Sequence, residues 1–452
     1  MTTPLLPDVG LLAMPYHRFG SRWMTPHHVL TRLASYFHVL WLEPTHHWRD
    51  TRSWNARRME LTKLAPLLPP GFHIGIPEPW LPDLVRPAWL RRAVADARVR
   101  GAWRRLRGLG CTTRVLYLWH PRFEPALAIG KPHLSLYHID DEYSFSPEPG
   151  PMDPVEFRVI QGVDHVFAIS PALMERKSGI NPSMTFSPEG VDFPMYATPV
   201  PEPRDIASIP HPRIGYTGTL KEQLDWPLLH ELAAQHPEWS FIFVGPENLR
   251  GELRTVLDEM SRMPNVHMLG PKTVWNLPAY PQHFDVCIMP YTVNGYTNNI
   301  YPLKLHEYLA SGRPVVGAAI RSLLDFRPVI TLATGVQGWS AALAAALAPA
   351  AAAPEAIAAR REIARAHDWS EIIDRIARTI CEGLGPEFAE RMERARQRTA
   401  PPAAPAPPGP DPNGDPARAR SSRPASSYLR AALRRSRRAG GRRFPHPRRG
   451  GP

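Results

Sequence analysis

Two successive series of short apolar segments, each alternating with helical patterns, account for most of the chain. Apolar runs of four to six residues indicate strands that are buried on both faces of a parallel sheet. In the first series they predict strands at 11–14, 39–42, 115–119, 134–139 and 165–169. The intervening patterns predict helices at 26–36, 87–106, 154–162 and 171–178. Such alternation favours a doubly wound α/β domain.

The pattern begins again after a proline-rich connector, Pro199–Pro203. Here the predicted strands are 213–217, 240–244, 266–269 and 286–289, and the predicted helices are 226–235 and 251–262. The alanine-rich segment 341–366 predicts two short helices, and Asp368 begins a final amphipathic one. Two α/β domains of this size are expected to face each other across a cleft and to bind ligands at the carboxyl ends of their strands.

These observations predict four units. They are a Rossmann-like domain at 1–198, a second Rossmann-like domain at 204–366, a C-terminal helix at 367–390 and a disordered tail at 399–452.

The formal net charge of +12 is concentrated in that tail. Residues 401–452 contain twelve Arg, no Lys and two Asp, so the remainder is nearly neutral and a nucleic-acid partner is not expected. The tail has too few large apolar residues to form a core. Its arginine clusters predict peripheral contact with an anionic membrane. Nonspecific nucleic-acid binding and a solvated, dispensable extension are the alternatives.

Three widely spaced cysteines, Cys111, Cys287 and Cys381, indicate a reducing compartment without disulfides or a zinc cluster. The N-terminus lacks a basic region followed by an apolar run, and no segment approaches the roughly 20 apolar residues of a membrane span. We therefore expect a cytoplasmic protein, with a peripheral position at the inner face of the membrane as an option.

The segment 298–316, NNIYPLKLHEYLASGRPVV, is the most informative about function. Pro302 and Gly312 are predicted to delimit a short helix. Lys304 and Glu307 lie three residues apart on it. Near a helix N-terminus above a parallel sheet, an ammonium and a carboxylate can hold the phosphate and the ribose hydroxyls of a nucleotide. An ion pair on a solvated face is the alternative.

This segment resembles the nucleotide-sugar signature of the glycosyl transferases group 1 family, whose retaining members have the GT-B fold of two Rossmann-like domains. The resemblance covers most of residues 10–385 and includes Pro188–Asp192, which matches P-x-G-V-D. It implies that Glu307 holds the donor ribose. Many members place a glutamate eight positions earlier to contact the donor sugar, where this chain has Asn299, preceded by Asn298. In Pro188–Asp192, Gly190 is predicted to supply a positive φ angle and Asp192 to bind the backbone of its own turn.

Two glycine turns are the other candidate donor-binding elements. Gly218 and Thr219 follow the first strand of the second domain, and Gly245 follows the next one. Bare backbone N–H groups at the first turn can approach a diphosphate, although a plain tight turn is the alternative. The second strand and its glycine turn resemble family positions, which implies packing near the nucleobase, with a structural role as the alternative. The family often has an Arg and a Lys near the first turn, at positions matched here by Thr219 and Leu224. Lys221 and Lys304 are then the candidates that would neutralise phosphate charge.

The first domain is expected to bind the acceptor. His138 and Asp141 follow a predicted strand and are candidates to orient or deprotonate an acceptor hydroxyl, and His120 is a second candidate of the same kind. Helix capping and mutual hydrogen bonding are the structural alternative. The loop Gly20–Trp23 is expected to lie over the reacting centre. No metal site is predicted.

The resemblance implies a hexosyltransferase that moves a sugar from a UDP- or GDP-sugar to a glycan or lipid-linked acceptor, with retention of configuration and without a metal or cofactor. Exopolysaccharide or cell-surface glycan assembly is the expected setting. A sugar-nucleotide epimerase with the GT-B fold and a non-catalytic sugar-nucleotide-binding protein are the alternatives.

Overall fold

The computed structural model describes residues 3–20, 23–44, 51–64, 68–77, 88–143 and 150–399. Ser21 and Arg22 of the predicted loop, and all but the first residue of the predicted tail, lie outside these ranges. Two parallel sheets, each covered by helices on both faces, form the described part of the chain. This architecture is the two-domain α/β fold that the repeated strand–helix pattern predicted.

The first sheet has seven parallel strands in the order β3-β2-β1-β4-β5-β6-β7. Its strands are β1 (Val9–Met14), β2 (His38–Leu42), β3 (Phe72–Gly75), β4 (Thr113–Leu118), β5 (Leu134–Ile139), β6 (His165–Ala168) and β7 (Met184–Phe186). The helices between them are α1 (Thr25–Leu33), α2 (Thr51–Leu64), α3 (Ala88–Gly108), α4 (Pro154–Gly162) and α5 (Pro171–Lys177). The short helix α6 (Phe193–Ala197) leads into the connector.

Both faces of this sheet are buried, which explains why its strands are continuously apolar. Leu11 of β1 packs into one cluster with α1, whereas Leu12 packs into a second cluster with α3 and α4. Because successive side chains of a strand point to opposite faces, every position of β1 needs an apolar residue.

The second sheet has six parallel strands in the order β12-β10-β8-β13-β14-β15. They are β8 (Arg213–Thr217), β10 (Ser240–Val244), β12 (Val266–Met268), β13 (Val286–Met289), β14 (Val315–Ala318) and β15 (Thr331–Ala333). The two-residue strands β9 (Leu220–Lys221) and β11 (Glu247–Asn248) pair separately. The helices are α7 (Trp226–Gln235), α8 (Glu252–Met260), α9 (Ala279–Gln282), α10 (Lys304–Ser311), α11 (Gly335–Ala346) and α12 (Pro354–Ala366). Three 3₁₀ segments occupy Pro121–Ala128, Arg321–Phe326 and Pro349–Ala352.

The chain then returns to the first domain through α13 (Trp369–Leu384) and α14 (Pro386–Thr399). Ile372, Ile376 and Ile380 of α13 are buried in the same cluster as α1 and β1. The first domain is therefore completed by residues from both ends of the described chain.

The structure adds elements that the sequence analysis missed and corrects one residue role. Strands β3, β7 and β15 and helices α2 and α14 were not predicted. Gly190 was predicted to supply a positive φ angle, and this was wrong because it is absent from the glycines with positive φ. A Cβ atom at Gly190 would lie 2.7 Å from the Trp369 ring, so the position needs glycine for space instead. Asp192 binds the backbone N–H of Met195 as expected.

Candidate functional site

The carboxyl ends of the two sheets face each other across the domain boundary. Three hydrogen-bonded or ionic contacts join the segments that follow the strands. The Tyr296 hydroxyl donates to Asp141 Oδ2 at 3.1 Å, and Ser170 Oγ donates to the carbonyl of Asn299 at 2.6 Å. The Arg321 guanidinium pairs with Glu175 at 2.6 Å. The predicted ligand edges of both domains thus form one cleft.

Two glycine turns and one lysine converge on the second-domain wall of this cleft. Gly218 has φ +134°, and a Cβ atom there would lie 3.4 Å from Lys304 Nζ. A Cβ atom at Gly245 would lie 1.9 Å from the carbonyl oxygen of Gly218, so the two turns touch through their backbones. Only residues without side chains allow this approach, which brings backbone groups and the Lys304 ammonium group close together.

The Lys304 ammonium group is held by aromatic residues. It donates to the Tyr291 hydroxyl at 2.9 Å and lies 5.1 Å from the centre of the Tyr216 ring. Tyr308, one turn along α10, donates its hydroxyl to the carbonyl of Thr217 and accepts from the Thr217 N–H at 2.8 Å. Helix α10 is thereby fixed to the end of β8, where the first glycine turn begins.

Glu307 lies on the same half-buried face but does not form the ion pair considered as an alternative. Tyr196 of α6 is close enough to the Glu307 carboxylate to favour its ionised form. Burial raises the pKa of Glu307, while Tyr196 and the charge of Lys304 act in the opposite direction. Neither Lys304 nor Glu307 is therefore a freely solvated side chain of a surface helix.

The other residues that were predicted to bind the donor lie in the segments that follow the strands of the second sheet. Thr219 accepts a hydrogen bond at its carbonyl from the Tyr216 hydroxyl, and Lys221 lies in β9 with its charge acting on Asp141 across the cleft. Asn298 Oδ1 accepts from the backbone N–H of Arg321 at 3.1 Å. The Asn299 amide donates to the carbonyl of Gly295 at 2.6 Å and is only 8% exposed. Asn299 therefore stabilises its own loop in this structure.

On the first-domain wall, the geometry separates Asp141 from the two histidines. His138 is 1% exposed, stacks on Trp119 with a centroid separation of 4.2 Å and shares a 2.7 Å hydrogen bond with the Tyr117 hydroxyl. Burial lowers its pKa to about 3, so it is a neutral core side chain. His120 Nδ1 caps the following 3₁₀ segment by accepting from Arg122 N–H, and its ring stacks on Tyr16. Burial lowers its pKa to about 4.

Asp141, in contrast, reaches the second domain through Tyr296. Burial raises its pKa to about 6, against the opposing effects of the Glu142 N–H, Tyr296 and Lys221. A carboxylate that is ionised near neutrality and faces the second-domain wall of the cleft can act as a base toward a bound hydroxyl group. Of the three acceptor-side candidates, the geometry supports Asp141 best.

The sequence analysis missed several residues that shape this cleft. Tyr216, Tyr291 and Tyr296 were not assigned, because nothing in the order of residues shows that they surround Lys304 and Asp141. Glu189 was treated as part of a turn, yet it is 3% exposed and lies close enough to Asp140 and Glu307 to interact with both. Its place at the variable position of the P-x-G-V-D pattern was the one feature of the sequence that could have marked Glu189 as a candidate site residue.

Comparison with known proteins agrees with this geometry. Residues 211–359 match the family described as Glycosyl transferases group 1. The chain has the GT-B fold, and the match to this family lies in its second domain. A Bacillus subtilis protein named as a teichuronic acid biosynthesis glycosyltransferase, TuaH, is 39% identical over 109 residues, which are 24% of this chain and 27% of the relative. The alignment thus spans about a quarter of that relative's length.

Solved structures resemble the whole two-domain body. A sucrose-phosphate synthase from Thermosynechococcus elongatus superposes with a TM-score of 0.62 at 16% identity, covering 82% of this chain and 98% of that one. An E. coli trehalose-6-phosphate protein bound with UDP-2-fluoro glucose gives a TM-score of 0.58 at 12% identity, covering 83% and 99%. At these identities the likeness establishes the GT-B fold alone.

Among the described residues, no helix is both long and apolar enough to span a bilayer, and no three His, Cys, Asp or Glu side chains gather as a metal site would require. Metal independence and a peripheral location stay predictions.

Proposed function

We propose that this protein is a glycosyltransferase that moves a sugar from a nucleotide-diphosphate sugar to a glycan or lipid-linked acceptor, with retention of configuration. The observation that carries the proposal is the convergence of Gly218, Gly245 and Lys304 on one wall of the cleft, opposite Asp141. The name of the Bacillus relative supports a role in cell-surface glycan assembly.

The donor diphosphate would bind at the glycine turns. Backbone N–H groups and the Lys304 ammonium can stabilise the charge that the leaving diphosphate acquires as the glycosidic bond breaks. Lys221 would add a second positive charge, and Glu307 would accept a hydrogen bond from a ribose hydroxyl.

The acceptor would enter from the first domain. Asp141 is positioned to orient or deprotonate its hydroxyl, and the contacts between Asp141 and Tyr296 and between Arg321 and Glu175 would close the cleft around both substrates. His120 and His138 would support this wall from behind.

Donor binding is the direct test. We expect Lys304→Met to lower the affinity for the nucleoside diphosphate of the donor by about 10- to 100-fold, because a charge-assisted contact is worth roughly 1.5–3 kcal/mol. Glu307→Gln should weaken binding about tenfold through the ribose. Isothermal titration with UDP, GDP and their hexose derivatives measures both effects. Lys272→Met is the control, since Lys272 pairs with Asp205 on the surface. Unchanged affinity in both site variants would refute the donor assignment.

Product analysis separates the alternatives. A transferase forms product only with an acceptor, an epimerase converts the sugar nucleotide without one, and a binding protein does neither. Nuclear magnetic resonance of the anomeric proton in the product would show whether configuration is retained.

We also propose peripheral contact with an anionic membrane through the arginine-rich tail. Helix α3 supports this idea because Arg92, Arg100, Arg104 and Arg107 are exposed at helical spacing and Trp89 is 70% exposed at its first turn.

Deletion of 400–452 should reduce co-sedimentation with phosphatidylglycerol vesicles and leave the weak binding to phosphatidylcholine vesicles unchanged. Arg100→Glu combined with Arg104→Glu should reduce it further. Equal binding by the full chain and the deletion variant would contradict the role of the tail.

A further inference from the structure

Glu189 is a buried carboxyl group with an unused oxygen at the base of the cleft. Its Oε1 accepts a hydrogen bond from the Thr25 hydroxyl at the start of α1. Its Oε2 is buried and has no hydrogen-bond partner among the described residues. Buried polar atoms normally have partners, because an unsatisfied one costs about 1–3 kcal/mol. The missing partner is therefore expected to come from a ligand.

The surroundings of Glu189 indicate which part of a ligand this is. The groups that act on it are Asp140 at the end of β5, Glu307 on α10 and Tyr301 in the loop before α10. Asp140 belongs to the first-domain wall, which is proposed to bind the acceptor. Glu307 and Tyr301 belong to the second-domain wall, which is proposed to bind the donor. The sugar is the portion of a donor that has to face both walls, since it passes from one to the other.

The donor loop also lacks the usual group for this contact. The Asn299 side-chain N–H donates to the carbonyl of Gly295, and the Asn299 backbone carbonyl accepts from the Ser170 hydroxyl. The amide is thus held within its loop through its nitrogen, and it carries no charge. Glu189 is close enough to Tyr301, which follows Asn299 by two residues in the same loop, to raise the pKa of the Tyr301 hydroxyl, and its Oε2 has no partner among the described residues.

We infer that Glu189 binds a hydroxyl group of the transferred sugar, a contact for which the loop before α10 offers the amide of Asn299 in place of a carboxylate. This inference rests on the proposed glycosyltransferase function and adds a sugar-specific residue to it. Glu189 is assigned as a binding residue, because the bond that breaks joins the anomeric carbon to the diphosphate and Glu189 is assigned to a hydroxyl group elsewhere on the sugar.

The protonation state of Glu189 gives the contact a characteristic pH dependence. Burial raises its pKa to about 8, with Asp140 and Glu307 acting in the same direction and the Thr25 hydroxyl opposing. Below this value the group is a neutral acid that donates through O–H. Above it, a carboxylate close to the donor diphosphate is repelled, so ligand binding requires proton uptake. Asp140, whose pKa burial raises to about 7, titrates in the same range.

The first arm of the test compares two ligands. With UDP-glucose or GDP-mannose, whichever the wild type binds, Glu189→Ala should lower affinity about tenfold, the size of one buried hydrogen bond. The affinity for the matching nucleoside diphosphate should stay within about twofold, because that ligand has no sugar. Glu156→Gln is the control, as Glu156 is an equally buried carboxyl that pairs with Lys177 at 2.7 Å.

The second arm uses pH and does not depend on the alanine variant folding. Wild-type affinity for the nucleotide sugar should fall by up to about tenfold per pH unit above pH 8, as one proton is taken up on binding. Glu189→Gln keeps a neutral N–H donor and should lack this part of the decline, whereas the contribution of Asp140 remains in both proteins.

Equal losses for the sugar nucleotide and the diphosphate, or identical pH profiles for wild type and Glu189→Gln, would overturn the inference while leaving donor binding intact. If the wild type binds neither ligand, the proposed function fails and this inference fails with it.

Discussion

At the residue scale, chemistry in this cleft depends on how far each ionisable group is removed from water. His138 and Asp141 are three residues apart, yet one is enclosed by Trp119 and Tyr117 and the other reaches the opposite domain. Burial disfavours the charged form of each group, which makes the histidine neutral and the aspartate a weaker acid. Of these two residues, only Asp141 has both a pKa close to neutrality and a contact across the cleft.

Substitution of Asp141 tests this distinction. Asp141→Asn should reduce acceptor-dependent sugar transfer by about 10²–10⁴-fold, the usual contribution of a positioned base, and should leave donor affinity nearly unchanged. Because the carboxyl pKa is raised to about 6, the wild-type rate should decline as pH falls through that value, where the base becomes protonated. The variant should lack this acidic limb. Initial rates between pH 5 and 8 with saturating donor provide the measurement.

His138→Phe is the matched comparison, since it preserves the stacked aromatic position next to Trp119. A larger loss of rate in His138→Phe than in Asp141→Asn would contradict the assignment.

At the scale of elements, the donor wall is built by turns that approach one another without side chains. Strands β8 and β10 are neighbours in the sheet, so the turns after them, at Gly218 and Gly245, are adjacent as well. Helix α10 lies against them through Tyr308 and brings Lys304 to the same place. The site therefore depends on the spacing of three elements.

The glycine contact provides a test of this spacing. Gly245→Ala places a methyl group 1.9 Å from the carbonyl oxygen of Gly218, so the first turn has to move. We expect donor affinity to fall at least tenfold, because a displacement of about 1 Å at a binding site commonly costs this much or more. Titration with the donor and a thermal melt measure the two consequences.

Gly338→Ala is the control, because Gly338 lies in helix α11 and an added Cβ atom meets nothing within 4 Å. This control should bind donor normally and be as stable as the wild type or slightly more stable, since alanine favours helix over glycine by about 1 kcal/mol. Unchanged donor binding in Gly245→Ala would argue against the glycine turns as the diphosphate site.

At the scale of the whole molecule, the C-terminal helices connect the two domains. The backbone N–H of Trp369 donates to the carbonyl of Val191, which precedes α6. The Trp369 ring stacks on His28 of α1 with a centroid separation of 5.0 Å. The space beside Gly190 is filled by the same ring. The first domain is thus closed by a helix that follows the second domain in the chain, and this connection fixes one side of the cleft.

Removal of this ring should destabilise the protein. Trp369→Ala is expected to lower the free energy of unfolding of the first domain by about 3–5 kcal/mol, the cost of emptying a large buried site. Differential scanning calorimetry with and without donor would report it. Trp275→Ala is the control because Trp275 is 40% exposed, and its effect should be below about 1 kcal/mol. Equal effects of the two substitutions would show that the returning helix does not stabilise the first domain.

The sequence by itself determined the α/β class, the two sheets and the short helix that carries Lys304 and Glu307. Strands buried on both faces require continuous apolar runs, and helix ends are marked locally by Pro302 and Gly312, so both features are visible without any distant contact. Short edge strands such as β3 and β15 lack that signal.

Only the tertiary structure decided which polar residues share the cleft. Asp141 and Tyr296 are 155 residues apart, and the contact between them depends on how the two domains face each other. Position 190 needs glycine because the Trp369 ring fills the space beside it, which is also a contact between distant parts of the chain. The burial that makes His138 a core residue likewise depends on tertiary packing. Such contacts join distant parts of the chain, and a local pattern carries no record of them because burial and charge act through space.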